Sequence, residues 1–219
     1  FLMEAYHALE DGGINPASLN KAKVGVFIGM EESHYGAAAA ANSNSAGDNT
    51  GLGITSSGLA MISSRLSYFL DFRGPTVAIN TSCSSSLVAF HQACVSLQNC
   101  ESNLALVGGA ALLISPQSYV SMSQAGMLSA DGQCHTFSNE ANGIACGESV
   151  VVTVLRRLKD AEAAGDHIYG VVKGSGINFD GKTNGVTAPN GEAQGDLIRE
   201  TYEQNNIDVE KISYVVAHG

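Results

Sequence analysis

An α/β protein with a largely buried sheet is predicted by three features of this chain. Short continuous apolar runs, VGVFIGM at 24–30 and LALVGGAALLI at 104–114, read as strands buried on both faces rather than strands with one solvated face. Between such runs lie segments with helical spacing, of which Leu59, Ile62, Leu66 and Phe69 form the clearest apolar stripe. The third feature is glycine, 25 of 219 residues, which marks tight turns and places where backbones approach closely. With 44% apolar and 15% charged residues, a substantial core is within reach of the composition.

Taken in order, residues 1–11 read as a helix ended by Gly12-Gly13. Val24–Met30 is a buried strand. Residues 31–53, rich in Ala, Asn, Ser and Gly, form either a loop with one Ala-rich helical turn or a cover over an active site. A helix spans 55–69, Arg73-Gly74-Pro75 breaks the chain, and a strand follows at 75–80. Next come a helix at 84–97, a strand at 104–114, a buried strand at 150–155 and a short basic helix at 156–164. Gly165-Asp166 punctuates, and a composition shift there opens a second half. The expected organisation is therefore 1–164 and 165–219. In the second half we expect a strand at 168–173, a Gly/Asn/Asp-rich loop over 174–191 and a polar-faced helix at 192–205. Leu197, Ile198 and Tyr202 should point inward from that helix, and a strand at 212–217 should follow it. No repeat links the halves. Residue 1 stands inside a helical pattern and residue 219 directly after an apolar run, so the chain reads as part of something longer.

Eleven basic against 21 acidic residues leave a net charge of −10, which argues against nucleic acid and anionic membrane surfaces as partners. No stretch reads as a transmembrane helix, because Asn, Ser and Gly interrupt the longest uncharged runs. The five cysteines, Cys83, Cys94, Cys100, Cys134 and Cys146, are odd in number and include no Cys-x-x-Cys pair. They read as reduced, mostly buried thiols, which places the protein in the cytoplasm.

The segment Asn80-Thr-Ser-Cys83-Ser-Ser-Ser-Leu87 carries most of the chemistry. Cys83 stands between a strand-like and a helix-like run, at the expected first turn of the helix. Unsatisfied N–H groups and the positive end of the macrodipole favour a thiolate there. The hydroxylated neighbours can cap the helix. This suits a nucleophilic cysteine carrying an acyl group. His218 lies just past the carboxyl end of the strand expected at 212–217, and ligands gather at strand carboxyl ends in open α/β sheets. A thiol and an imidazole from two such ends can converge. His91, on the Cys83 helix, reads as a core or interface residue, and His7, His34, His135 and His167 show no partner spacing. Glu148 is expected to pair with an arginine, with Arg65 one possibility and a place in a subunit interface the other for that arginine. The run Asn178 to Gly185 has a lysine where a calcium loop needs oxygen, and Gly174-x-Gly176 lacks the third glycine of a dinucleotide site. Neither these nor any zinc-spaced pair supports a cofactor or metal.

Several of these segments together resemble the β-ketoacyl synthases. Asn80 to Leu87 is similar to their nucleophile motif, usually Asp-Thr-Ala-Cys-Ser-Ser-Ser-Leu. Arg65-Leu-Ser-Tyr68 through Pro75 resembles the segment before the active-site strand, and Asp131-Gly132-Gln-Cys-His-Thr-Phe137 the family's Asp-Gly-x-Cys-x-x-Phe element. Gly174 to Pro189 is similar to a loop of modular polyketide synthases, and Ala217-His218-Gly219 to the start of Ala-His-Gly-Thr-Gly-Thr. The Gly-Lys-Thr-Asn-Gly loop and the stretch Gly165 to Gly170 lean toward bacterial trans-acyltransferase polyketide synthases.

This resemblance implies a thiolase-like fold, a five-layered αβαβα sandwich of which the chain holds the middle part. It implies a ketosynthase domain in which Cys83 takes an acyl chain from an acyl carrier protein. His218 then assists decarboxylation and condensation of a malonyl-type extender. The Cys83 backbone N–H would form part of an oxyanion hole. A second histidine, a lysine and a Gly-rich loop are expected beyond residue 219. No cofactor is expected on the chain itself, since phosphopantetheine arrives on the carrier protein. The parent protein is expected to be a homodimer pairing through the strand before Cys83. A non-elongating ketosynthase that only transfers acyl chains, or a non-catalytic dimerisation or docking scaffold, are the alternatives. The sequence departs from the family at Asn80 (usually Asp), Ser82 (usually Ala) and Ile144 (usually Tyr).

Overall fold

The computed structural model describes residues 1–31 and 58–218, so all but Glu31 of the expected cover at 31–53 lies outside the described residues. The described chain divides into two compact units, Phe1–Arg157 and Leu158–His218.

In the first unit the order is α1 (Leu2–Asp11), a 3-10 turn (Pro16–Leu19), β1 (Val24–Met30), α2 (Leu59–Phe69), β2 (Thr76–Ile79), α3 (Ser85–Gln98), β3 (Leu104–Ala111), α4 (Pro116–Gln124) and β4 (Ser149–Arg156). The four strands form one sheet in the order β2-β1-β3-β4. β1 runs parallel to β2 and β3, whereas β4 pairs antiparallel with β3. Alternation along β1 divides the core. Val24, Val26 and Ile28 face α1 and α2 and pack with Ala5, Leu9, Leu66, Leu104 and Leu106. Phe27 faces the other way, against Ala89, Ala93 and Leu97 of α3 together with Ala105 and Val107. With helices on both faces, β1 is buried along nearly its whole length, which is why it shows no polar alternation. The sequence expectation for 150–155 as a buried strand is corrected here. β4 alternates exposed and half-buried residues, because it is an outer strand with only one face well covered.

Helix α3 sits unusually close to the sheet at its amino-terminal end. Gly29 and Gly109 are register partners on β1 and β3. A Cβ on Gly29 would overlap the backbone of Ser85 and Ser86, and one on Gly109 would lie 2.8 Å from the Ser86 Cβ. Two adjacent strand glycines thus open a seat for the first turn of α3. At its other end Arg157 holds the helix: its guanidinium donates to the carbonyl oxygens of Leu97 (3.0 Å) and Ser102 (2.7 Å) and to Asn103 Oδ1 (2.8 Å).

The polar helix α4 was not expected from the sequence, since none of its residues is buried and it shows no apolar stripe. Ser115, whose Oγ accepts from the Gln117 N–H, and Pro116 in the first turn are the local signals that start it. After α4 the chain folds back on itself. Ser129 N–H donates to Ile144 O and Ile144 N–H to Met127 O, both at 2.9 Å. The Ala145 N–H approaches the Cys134 Sγ at 3.1 Å. Within this hairpin-like loop Asp131 accepts from the Ser129 hydroxyl, the His135 ring and the Gln133 N–H. These bonds, the Ser129 hydroxyl first, hold its carboxyl well below the usual carboxylate range. Glu148 takes the Leu113 backbone N–H. Among the described residues no arginine pairs with it, which corrects the expected ion pair.

The second unit holds α5 (Leu158–Ala164), α6 (Gly191–Gln204) and a 3-10 turn (Val209–Lys211). α5 ends at Gly165, in the left-handed region at φ 71°. α6 is capped by Asn190, whose Oδ1 accepts from Glu192 N–H and Ala193 N–H while its Nδ2 donates to Asp180 O. Asn178 Nδ2 donates to Ala193 O. The Asn178–Gly185 run therefore fastens a loop to α6. Gly176 lies against the Thr201 hydroxyl and Leu197, so this glycine too serves close packing. Leu197 and Tyr202 are half-buried as expected, but Ile198 is 53% exposed. The strands expected at 168–173 and 212–217 do not form. A strand exists only through its ladder, and no described strand pairs with either run, so Val171, Val172, Val215 and Val216 stand exposed.

Three outcomes follow for the intact protein. Gly29→Ala pushes a methyl group into the α3 backbone and lowers stability by ~1–3 kcal/mol, read as a lower urea midpoint at unchanged slope. Asn190→Ala removes the α6 cap at a cost of about 1 kcal/mol, seen as faster amide exchange in the first turn of α6 than at its centre. The depressed Asp131 carboxyl contributes stability that is complete above its ordinary value of 3.8 and is lost as pH falls through its lower folded-state value. Asp131→Asn accordingly flattens the acid limb of a stability-against-pH curve.

Candidate active site

The chain leaves β2 at Ile79 and enters α3 at Ser85, and the connection is a tight elbow carrying Cys83. Cys83 is exposed. It precedes the N-cap residue Ser84 and so stands just before the helix rather than in its first turn. Ser82, directly before it, adopts φ 57°, a left-handed conformation that costs a non-glycine residue energy and persists only where its surroundings impose it.

The surroundings are a set of short hydrogen bonds. Asn80 Oδ1 accepts from the Ser82 N–H at 3.1 Å, an Asx turn across the elbow. The hydroxyl of Ser85, which is 4% exposed, donates to Ser82 O at 2.6 Å and accepts from Thr81 N–H at 2.8 Å. Ser84 Oγ lies 2.9 Å from Thr81 O and 2.8 Å from Thr81 Oγ1. The expectation that the serines cap the helix is thereby corrected. Ser84, at the N-cap, makes no side-chain cap bond, and both serine hydroxyls fold back to tie the turn that precedes the helix. The departures at Asn80 and Ser82 now have a structural setting. Asn80 retains a side-chain oxygen for the turn, and the backbone of Ser82, which accepts from both the hydroxyl and the N–H of Ser85, is what the network holds.

The result is an accessible thiol at the positive end of a 14-residue helix, on a turn with little freedom. An arrangement of this kind can present a sulfur nucleophile to a carbonyl carbon along a fixed direction. Leu87, 74% exposed on the following turn, gives the neighbourhood an apolar surface.

Of the other residues singled out, His218 is exposed in the second unit and follows a run without a strand ladder. His91 is half-buried on α3. His7 lies 3.5 Å from Glu4, His135 2.8 Å from Asp131, and His167 stacks edge-to-face with Tyr169. His34 lies outside the described residues. Ile144 is clipped to Met127 and Ser129 through its backbone, with its side chain 45% exposed. No group of His, Cys, Asp or Glu among the described residues is arranged to hold a metal ion. Residue-type reasoning passed over Ser85, Gly29 and Gly109. A glycine inside a buried strand is the one signal that could have pointed to the last two.

Known proteins resemble this chain in sequence and in fold. The family Beta-ketoacyl synthase, N-terminal domain, matches residues 1–161, and Beta-ketoacyl synthase, C-terminal domain, matches 169–219. Polyketide synthase PksL of Bacillus subtilis (strain 168) is 50% identical over 219 residues, which are 100% of this chain and 5% of that protein. Polyketide synthase ThaG of Burkholderia thailandensis is 43% identical over 218 residues, which are 100% of this chain and 4% of that protein. Among solved structures, the ketosynthase from module 6 of the bacillaene synthase of Bacillus subtilis 168 superposes with a TM-score of 0.89 at 48% identity, over 100% of this chain and 36% of that one. The oxazolomycin ketosynthase domain OzmH KS7 of Streptomyces albus JA3453 reaches 0.91 at 36% identity, covering 100% of this chain and 38% of that one. The chain thus spans about a third of those solved ketosynthases. With its α/β sheet, its cysteine elbow and these matches along nearly its full length, the chain belongs to the β-ketoacyl synthase family and has that family's thiolase-like fold.

Proposed function

We propose that the protein bearing this chain is a ketosynthase that elongates a polyketide, with Cys83 as its nucleophile. The observation that carries the reading is the exposed Cys83 thiol on a hydrogen-bonded strand-to-helix elbow, inside the segment that resembles the family's nucleophile motif. The polyketide synthases similar along the whole chain support the substrate class.

In the first step the Cys83 thiolate attacks the thioester carbonyl of an acyl chain presented on the phosphopantetheine arm of an acyl carrier protein. The Cys83 N–H stabilises the tetrahedral oxyanion. Collapse expels the phosphopantetheine thiolate, which takes a proton, and leaves the acyl group on Cys83. In the second step a malonyl-type extender on a carrier protein loses CO2, and the electrons of the broken C–C bond become an enolate. His218 assists by hydrogen-bonding the carbonyl oxygen on which that charge develops. The enolate carbon attacks the Cys83 thioester, Cys83 leaves as thiolate, and the chain on the carrier is two carbons longer. The chain needs no cofactor of its own for either step.

A homodimer fits the position of β2, an outer strand among the described residues whose free edge suits pairing with a second copy. A cytoplasmic setting fits five cysteines of which none is in a disulfide. Among the described residues no helix is long and apolar enough to cross a membrane. The Gly-Lys-Thr-Asn-Gly loop supports assignment to a trans-acyltransferase system.

Intact-protein mass spectrometry after incubation with an acyl-carrier donor tests the first step: wild type gains the acyl mass and Cys83→Ala does not. An acylated Cys83→Ala protein would end the nucleophile assignment. His218→Ala is expected to retain acylation but to lose condensation product by ~10²–10⁴-fold when the extender is supplied. Should wild type acylate and hand the chain onward without releasing CO2, the protein transfers acyl groups and does not elongate them.

A further inference from the structure

Among the groups that hold the Cys83 elbow, Ser85 is the most constrained. Its backbone rests against Gly29, where no Cβ fits, so the residue cannot retreat toward the sheet. Its side chain is buried, and the single hydroxyl acts in both directions, as donor to Ser82 O at 2.6 Å and acceptor from Thr81 N–H at 2.8 Å. Those partners flank the left-handed residue Ser82, whose φ of 57° sets the direction in which the chain presents Cys83. From the strand side Asn80 Oδ1 takes the Ser82 N–H at 3.1 Å. The strained residue is thus gripped at its N–H by Asn80 and at its carbonyl by Ser85, with Thr81 N–H tied to the same hydroxyl. Removing either grip frees Ser82 to relax toward an ordinary conformation, and the next side chain in the chain is the thiol.

We propose that Ser85, assisted by Asn80, is a positioning residue for Cys83: the two side chains clasp the left-handed Ser82 turn so that the thiol is held in the orientation for attack. The inference rests on the reading of Cys83 as nucleophile. It assigns Ser85 no contact with substrate. Ser85 acts only through the turn, so its loss slows acylation without altering donor binding. Only a short side chain that both donates and accepts can serve, which singles out Ser or Thr at this position.

The test is single-turnover acylation of the full-length protein by an acetyl thioester of N-acetylcysteamine, followed by intact-mass spectrometry. The rate constant and the final amplitude are recorded separately. Ser85→Ala is expected to slow the rate about 10- to 100-fold at full amplitude and unchanged half-saturating donor concentration, since a misplacement of about 1 Å can cost that much. Ser85→Thr keeps the hydroxyl and should remain within about 5-fold of wild type by the same reasoning. A merely structural role gives a different signature: a lower amplitude, because fewer chains are folded, with the rate constant of the remainder unchanged. That result, a wild-type rate in Ser85→Ala, or equal losses in the Ala and Thr variants overturns the proposal. Asn80→Ala removes the other grip from an exposed position and keeps the test open if Ser85→Ala does not fold. A slower rate at full amplitude supports the clasp, and an unchanged rate overturns it. Cys83→Ala separates the two readings. If it still acylates, the nucleophile assignment falls. If it does not, while Ser85→Ala and Asn80→Ala both match wild type, only the clasp falls.

Discussion

The contact between two strand glycines and the first turn of α3 is the constraint on which the candidate site depends. Gly29 and Gly109 are neighbours across the β1–β3 ladder, and neither has room for a side chain beneath Ser85 and Ser86. Because the helix rests on the sheet itself at that end, the connection from Ile79 to Ser85 has no slack. A short elbow with a left-handed residue is the consequence, and the serine hydroxyls fill the space the elbow leaves. Farther along α3 the small residues Ala89 and Ala93 continue the close approach, and Leu97 gains the apolar core with Phe27 and Val107. Arg157 then ties down the carbonyl of Leu97. The helix that follows Cys83 is seated at one end by the absence of side chains and held at the other by a guanidinium.

The elbow also shows how a polar, exposed segment becomes ordered. Asn80, Thr81, Ser82 and Ser84 are all exposed, and such residues ordinarily form a solvated loop. Here the side chains of Asn80, Thr81 and Ser84 bond one another and the local backbone, while the buried Ser85 anchors the set. Local side-chain bonds of this type compete with regular secondary structure, and at the entrance to a helix they take the place of a cap. The Asp131 loop uses the same economy, with one carboxylate gathering a hydroxyl, a ring nitrogen and an N–H.

Much of this architecture was legible in the residues. VGVFIGM marked β1 to its ends, because a strand buried on both faces admits no polar residue. The stripe Leu59, Ile62, Leu66 and Phe69 marked α2, with Leu66 reaching the core, although Phe69 proved 78% exposed. Cys83 drew notice through its place between strand and helix and through the motif around it. Other parts were illegible for physical reasons. α4 buries nothing and so leaves no periodic signal. The runs at 168–173 and 212–217 have strand-like composition, but apolar residues do not make a ladder without a partner. Glu148 was expected to seek an arginine, and it found a backbone N–H because Leu113 is brought next to it by a chain reversal that no local pattern reveals.

By itself the sequence determined the fold class and the family, and it drew attention to the segment around Cys83, since these rest on periodicity and on a motif of consecutive residues. Tertiary structure alone decided what holds that segment: which residues stand under Ser85, that its hydroxyl turns back toward Thr81 and Ser82, and that Cys83 stands before the helix and not within it. Those facts depend on residues far apart in the chain meeting at one point of the sheet, as Gly29, Ser85 and Gly109 do. Spacing along a chain encodes which face a residue shares, but not what comes to lie against it.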